Sequence, residues 1–334
     1  MSMIKSIPGI EPYNEVFYRS CYYNSFIPVV KQAGKSILPF FIHEFPVYST
    51  TGEQEMIPFD VEYQVVRDLS QLLDETGFTM MGQVKSERIS DDLVDAIMQD
   101  HPVIVWVDSF YEPFRKDTYQ KRHWAHSLLV YGYNQFDETF EIIEHHHADN
   151  LTYEKRKLDF TDMEQAYEGY QEQFLRGEEY TFFEFGLNQD KAGLHLAVDE
   201  NVPQYRFVYL NNLQDQVETI NNGIEKLVQM EVFFAQLIQD EQQLKGAVGP
   251  LLDKLTTIIN AKKAEQYKLA QLQVDSTITD VLNEIVLHWS YIRGVVGKSL
   301  YSNVFKQEDF RLAGAKLSEI VELERRFYLL LLKK

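Results

Sequence analysis

Apolar residues recur at helical spacing in "CYYNSFIPVVKQAG", where Phe26, Val29 and Val30 share one face and Gly34 supplies a stop. This pattern predicts a helix over Tyr22–Ala33 with Cys21 in its first turn. "IPFDVEYQVVRDLSQLLDETG" predicts a second helix over about 60–75 ending at Gly77, and "SERISDDLVDAIMQD" a third over Asp91–Gln99 with Ser90 as its cap. "PVIVWVDSF", "HSLLVYGYN" and "ETFEIIEHH" are β-rich runs of strand length, and the last two, joined by "NQFD", form a hairpin. "EYTFFEFGL" is a further strand or aromatic core segment near 180. Helices first and an antiparallel sheet afterwards define an α+β fold rather than alternating βαβ units.

From about residue 212 the texture changes. Segments 214–244, 248–273, 276–300 and 307–333 are long, mixed in polarity and rich in Leu, Gln, Glu and Lys, with Gly246, Gly249 and Pro250 between the first two. Four antiparallel helices are the expectation, so the chain divides into an α+β domain over 1–211 and an all-α helical bundle over 212–334.

Composition narrows the classes. At 334 residues and 45% apolar content the chain can bury two ordinary cores. Its single cysteine permits no internal disulfide, and "MSMIKSIPGIEPYNEV" lacks the apolar centre of a signal peptide, so a cytoplasmic protein is expected. The longest apolar run, "FYLLLL" at 327–332, falls far short of the roughly 20 residues of a membrane span, and no membrane partner is expected. The net charge of −19 argues against nucleic acid, whose binding depends on Lys and Arg meeting phosphate. The first 213 residues hold 17 basic against 35 acidic side chains and the remainder 15 against 16, so the negative field belongs to the N-terminal domain and suits a cationic ligand such as an amine.

The candidate chemistry starts at Cys21. A thiol in the first turn of a helix meets the positive end of the peptide dipoles and free N–H groups, both of which favour thiolate. A nucleophilic cysteine needs a base, and His126 stands at the start of a strand whose end can meet a helix N-terminus. A third group must orient the imidazole. The neighbouring strand ends at Glu144, with Asp149 and Asn150 beyond it, and the hairpin brings Glu144 near the beginning of the His126 strand.

"SCYYNSFIPVVKQAG", "HPVIVWVDSFYEPF" and "HWAHSLLVYGYNQFDETFEIIEH" resemble the N-terminal domain of butirosin biosynthesis protein H, a papain-like cysteine acyltransferase fold related to bacteriocin-processing peptidases. The resemblance covers about residues 13–200. It implies an α+β papain-like domain with Cys21 and His126 as its catalytic pair, taking an aminoacyl or peptidyl group from a carrier-protein thioester to an amine in natural-product biosynthesis. The third position departs from the family's usual Asp; Glu144 is favoured, with Asp149 as the alternate. Papain-like enzymes carry an oxyanion-donating Gln shortly before the cysteine. Here Glu15 and Asn14 occupy that region, and Asn14, helped by the Cys21 backbone N–H, is the candidate because an ionised carboxylate cannot donate.

Around this centre, Tyr22, Tyr23 and Asn24 beside the nucleophile and His123 and Arg122 before the His126 strand are candidate substrate-binding residues. The segment "FRKDTYQKRHW" (114–124) places Arg115, Lys116, Lys121 and Arg122 where they could receive the phosphate of a pantetheine arm or an acidic carrier protein. "EHHHADN" offers only His145 and His147 on one strand face, so no metal or other cofactor is expected. The expected partners are an acyl or peptidyl carrier protein and a small amine, and the helical domain could cap the cleft, recognise a partner or carry a homo-oligomer. With water as acceptor the same machinery is a peptidase, amidase or thioesterase; with no chemistry at Cys21 the chain is a binding or assembly protein.

Overall fold

The computed structural model describes residues 3–52, 55–147, 150–188 and 201–333. In chain order its elements are β1 (Ile4–Ser6), α1 (Cys21–Gln32), α2 (Leu38–Phe41), β2 (Glu44–Ser49), β3 (Asp60–Val65), α3 (Leu69–Thr76), β4 (Phe78–Gln83), α4 (Ile89–Met98), β5 (Val103–Asp108), β6 (Ala125–Asn134), β7 (Thr139–His147), β8 (Asn150–Asp159), α5 (Phe160–Gln173), β9 (Phe182–Leu187), α6 (Val202–Asp215), α7 (Val217–Leu237), α8 (Glu241–Gln271), α9 (Ser276–Ser302) and α10 (Gln307–Leu331). No helix among the described residues is long and apolar enough to cross a membrane. The protein is thus α+β with an antiparallel sheet and a helical C-terminal region.

The chain forms two compact units, whose described residues lie within Met1–Ile37 with Asp68–Val198, and within Leu38–Arg67 with Asp199–Lys334. The boundary expected at 211/212 differs from this division, because Leu38–Arg67 belongs with the helices.

In the first unit seven strands form one sheet in the order β4-β9-β5-β6-β7-β8, with β1 on β6, and every pairing is antiparallel. β5 pairs with β6 from Ala125 to Val130, and β1 takes over from Gly132 to Asn134. The register shift on the β7 side falls between Val130 and Gly132, where space is tight: a Cβ on Gly132 would lie 2.7 Å from Glu141 Oε2 and 3.0 Å from the Lys5 carbonyl, so a larger residue would have to move the Glu141 side chain and press on β1. α1 packs on β6 through a buried run from Asn24 to Val30, and α5 packs on β5, where Tyr170 stacks on Trp106.

Several elements depart from the periodicity. The helix predicted over 60–75 is strand β3 followed by α3: "DVEYQV" alternates with period two, and Asp68 accepts from Gln71 N at 2.9 Å as the N-cap of a new helix, which ends on Gly77 at φ +76°. Ser90 is not the cap of α4. It is the helix's second residue, its hydroxyl donates to Glu164, and Arg88 occupies the cap.

In the second unit the hairpin β2–β3 packs with α7 and α8. From residue 202 five helices, α6 to α10, occur among the described residues where four are predicted from about 212, and the break falls at Ile238–Asp240, not at Gly246–Pro250. Asp240 caps α8 by accepting from Gln242 N and Gln243 N, and the helix runs through Pro250 because Leu244, Ala247, Val248, Leu251 and Leu255 keep one continuous buried stripe.

Charges lie inside this core. Lys262 Nζ meets Glu324 Oε1 at 2.5 Å, Tyr48 on β2 donates to the same oxygen at 2.6 Å, and Trp289 Nε1 donates to the Tyr48 hydroxyl at 3.2 Å. Lys268 donates to Glu265 at 2.9 Å and to the Glu44 carbonyl at 2.6 Å, fastening the hairpin to α8. Lys262→Met should therefore cost about 3–5 kcal/mol by leaving Glu324 buried without its cation, whereas Lys262→Met with Glu324→Leu should recover most of that loss. Urea denaturation of the three proteins measures both.

Candidate functional site

The approach to α1 is tightly held. Arg19 takes a left-handed conformation at φ +58°, and Asn24, buried inside the helix, accepts from Tyr18 N at 2.8 Å and donates to the Val16 carbonyl at 3.2 Å. Ser20 is the N-cap residue, yet its side chain makes no capping bond. The first turn thus leaves its N–H groups without a side-chain cap, at a half-buried Cys21 that is the helix's first residue.

His126 is the second residue of β6, pairing with Val107 of β5, and it is buried. Its Nε2 lies 2.8 Å from Oε2 of Glu144 on β7, which leaves Nδ1 as the nitrogen to serve the thiol, and the ring and Cys21 are coupled through their charges. The sheet explains the meeting. Leu129 pairs with Ile143, so Glu144 falls one step beyond a paired position, on the same face as His126 and within diagonal reach of it.

Glu144 is wholly buried. Its Oε1 accepts the His145 backbone N–H at 2.5 Å and lies 3.6 Å from Arg115 Nη1 and 3.6 Å from His145 Nε2. Arg115 is itself inaccessible, held through Nε and Nη2 by Asp117 at 3.2 Å each, with Glu112 at 3.9 Å.

This arrangement sets the charges. Burial alone would raise the Cys21 thiol, but the His126 charge above all, with the polar surroundings at His126 and Ser127, outweighs it and holds the thiol below its usual range. Burial would lower His126, and the Glu144 and Cys21 charges reverse this and keep it well above the usual imidazole range. Burial would likewise raise Glu144, and His126, His145 and Arg115 together bring it below the usual carboxylate range. His145 is pushed down to about 4 by burial, despite Glu144, and so is neutral at pH 7. Glu112 is pushed up to about 8, first by burial and then by the Glu144 charge, and is a neutral acid there. The lowered thiol and the raised imidazole both favour charge separation between Cys21 and His126, with the Glu144 carboxylate behind them.

Residues 53–145 match the family model described as butirosin biosynthesis protein H, N-terminal. The chain carries a butirosin biosynthesis protein H-like N-terminal domain. No curated protein matches it. The match is narrower than the resemblance over 13–200: it includes Arg115, His126 and Glu144 and leaves Cys21 outside.

The remaining expected residues separate. Tyr22 and Tyr23 lie beside Cys21 on the first turn; Tyr22 donates to Met80 Sδ at 3.6 Å and packs edge-on against Phe183, and Tyr23 accepts from Arg19 at 2.7 Å. Asn24 is 1% exposed and shapes the loop, so it is a structural residue rather than a substrate contact. Asn14 departs from its expected oxyanion role, because its amide donates to the Tyr153 carbonyl at 2.9 Å and accepts from Tyr153 N at 2.7 Å, binding the N-terminal arm to β8. His123 bonds to buried Asp108 and stacks on Phe110, and Arg122 lies over Trp124. Arg115 is buried and cannot meet a substrate phosphate. Asp149 lies outside the described residues.

Sequence reading missed Arg115 as a partner of Glu144, together with Asp117, Glu112, Ser127, His145 and Tyr153. The signal for the first was the Arg-x-Asp spacing in "FRKD", which permits a two-nitrogen grip on one carboxylate. His126, Glu144 and His145 bring ligand atoms within 4.8 Å of one another, close enough for a metal ion. A cation there would have to displace the His126 proton and share Glu144 with Arg115, so the three fit a proton network better than a metal.

The pH consequence is direct. Since the Cys21 thiol is held below its usual range of about 8.5, iodoacetamide should alkylate it faster at pH 7 than an ordinary exposed thiol. His126→Ala leaves the burial uncompensated, moves the inflection upward and should slow alkylation at pH 7 by about tenfold or more. Stopped-time mass spectrometry across pH 5–10 reads both curves.

Proposed function

We propose that this protein is a cysteine-dependent acyltransferase of papain-like type that moves an aminoacyl or peptidyl group from a carrier-protein thioester to an amine in antibiotic biosynthesis. One observation carries the reading: a thiol at an uncapped helix start feels the charge of a buried imidazole whose Nε2 lies 2.8 Å from a buried carboxylate. The family description of residues 53–145 supports the biosynthetic setting.

The steps follow from the charges. The Cys21 thiolate attacks the thioester carbonyl, and the electron pair of the C=O bond moves onto oxygen. As that pair returns, the C–S bond to the donor breaks and His126 gives its proton to the departing thiolate. The acyl group now rests on Cys21 as a thioester of similar energy to the one broken, which suits a thiol nucleophile better than a hydroxyl. An amine then attacks the acyl carbon, neutral His126 takes its proton, and the amide leaves with the thiolate–imidazolium pair restored. Glu144 holds the imidazole throughout and stabilises its charged form.

Amine must outrun water at the acyl-enzyme, which requires a positioned acceptor, since orientation can supply effective molarities of about 10⁵ M or more. The acidic first 213 residues suit an ammonium-bearing acceptor. On the segment before β6, Lys116, Lys121 and Arg122 are exposed and suit an anionic donor. Incubating the protein with an aminoacylated carrier protein, with and without small amines, should give amide that disappears in Cys21→Ala; free acid as the sole product, equally dependent on Cys21, would make the protein a hydrolase. Unchanged function in Cys21→Ala would leave a binding protein.

A further inference from the structure

We propose that the Tyr153 hydroxyl is the side-chain hydrogen-bond donor to the oxyanion that forms when Cys21 attacks a carbonyl. This rests on the acyl-transfer reading and adds the group that reading lacks, since Asn14, the residue expected to donate, is committed to backbone.

Tyr153 lies on β8 directly opposite His145 of β7. Its ring meets the His145 ring edge-on at 5.1 Å, and the His145 ring meets His126 edge-on at 4.8 Å, so the phenol is one ring removed from the base. The side chain is 1% exposed, and its hydroxyl has no hydrogen-bond partner among the described residues. A buried hydroxyl is normally bonded, and one left open beside reactive groups is a place where a partner arrives during the reaction. Burial and then the negative charge at Cys21 and at Glu144 keep the phenol well above its ordinary range, so it stays protonated and can only donate to an anion.

Two further features fit the role. The clamp by Asn14 fixes both backbone polar groups of Tyr153, at 2.7 and 2.9 Å, which gives the donor the rigidity that electrostatic stabilisation needs. The Cys21 backbone N–H at the uncapped helix start is then the second donor. In the step itself no proton moves: negative charge develops on the former carbonyl oxygen, Tyr153 O–H and Cys21 N–H donate to it, and the bonds relax when the C=O re-forms.

Tyr153→Phe keeps the ring and its packing and removes only the hydroxyl. Two reactions of Cys21 separate the roles. Acylation by S-acetyl-N-acetylcysteamine passes through an oxyanion, whereas alkylation by iodoacetamide is displacement at a saturated carbon and does not. The expected result is acylation slowed about 10²–10³-fold, with the alkylation rate and its pH profile within about twofold of wild type and the melting temperature unchanged or raised. Asn14→Ala should slow acylation in the same selective way, by a smaller factor. Acylation of Tyr153→Phe at the wild-type rate, or loss of both reactions together, overturns the proposal. Wild-type protein that alkylates readily at pH 7 but is not acylated overturns the acyl-transfer reading and this donor with it.

Discussion

Glu144 is a carboxylate sealed from water, and the chemistry proposed for Cys21 depends on its staying ionised. A carboxylic acid at that point would donate a hydrogen instead of accepting one from His126, and an unsupported imidazole buried in the sheet would shed its proton and leave the thiol neutral. Taking one carboxylate out of water costs several kcal/mol. A unit charge about 4 Å away returns about 4 kcal/mol at the effective dielectric of protein sites, and Glu144 has two such neighbours, His126 at 2.8 Å and Arg115 at 3.6 Å. Arg115 in turn is held by Asp117 and faces Glu112, whose proton stays on at neutral pH, so the chain of alternating charges ends in a neutral acid.

That dependence explains which parts of the site could be read from sequence. Cys21 at a helix start and His126 at a strand start follow from local periodicity, and the pairing of β6 with β7 follows from two strand-length runs with a short connector. Glu144 was legible as the residue at the end of the second run. Arg115 was not, because "FRKDTYQKRHW" has the composition of a solvated loop, and only the tertiary structure shows that its first arginine turns inward while Lys116 and Arg122 stay outside. Asn14 misled for a related reason. Its type and position matched an oxyanion donor, but an amide can equally satisfy a strand's open backbone pair, and it does so at Tyr153.

The fold was legible where one signal dominated and obscure where two competed. At 60–76 an alternating strand and a short helix run on without a glycine or proline between them, and the combined stretch mimics one amphipathic helix. At 241–271 the opposite occurs: Gly246, Gly249 and Pro250 announce a break that a continuous buried stripe overrides. The assignment of Leu38–Arg67 to the helical unit lay beyond local reading altogether, since Tyr48 and the Glu44 carbonyl need partners supplied by Glu324 and Lys268, more than two hundred residues away in sequence.

Both units bury charge, but not in the same way. In the helical unit each buried lysine has a close carboxylate and further tyrosine contacts, and the network fastens a hairpin to its helices. Around Cys21 the polar atoms are less settled: both Glu112 oxygens, Arg115 Nη1, the Ser127 hydroxyl and the Tyr153 hydroxyl all lack an aligned hydrogen-bond partner. Structural cores eliminate such groups because each one opposes folding. Their concentration within one cluster of the first unit is the mark of a place where local stability has been given up for reactivity, since groups already saturated at rest have nothing left with which to meet charge as it moves.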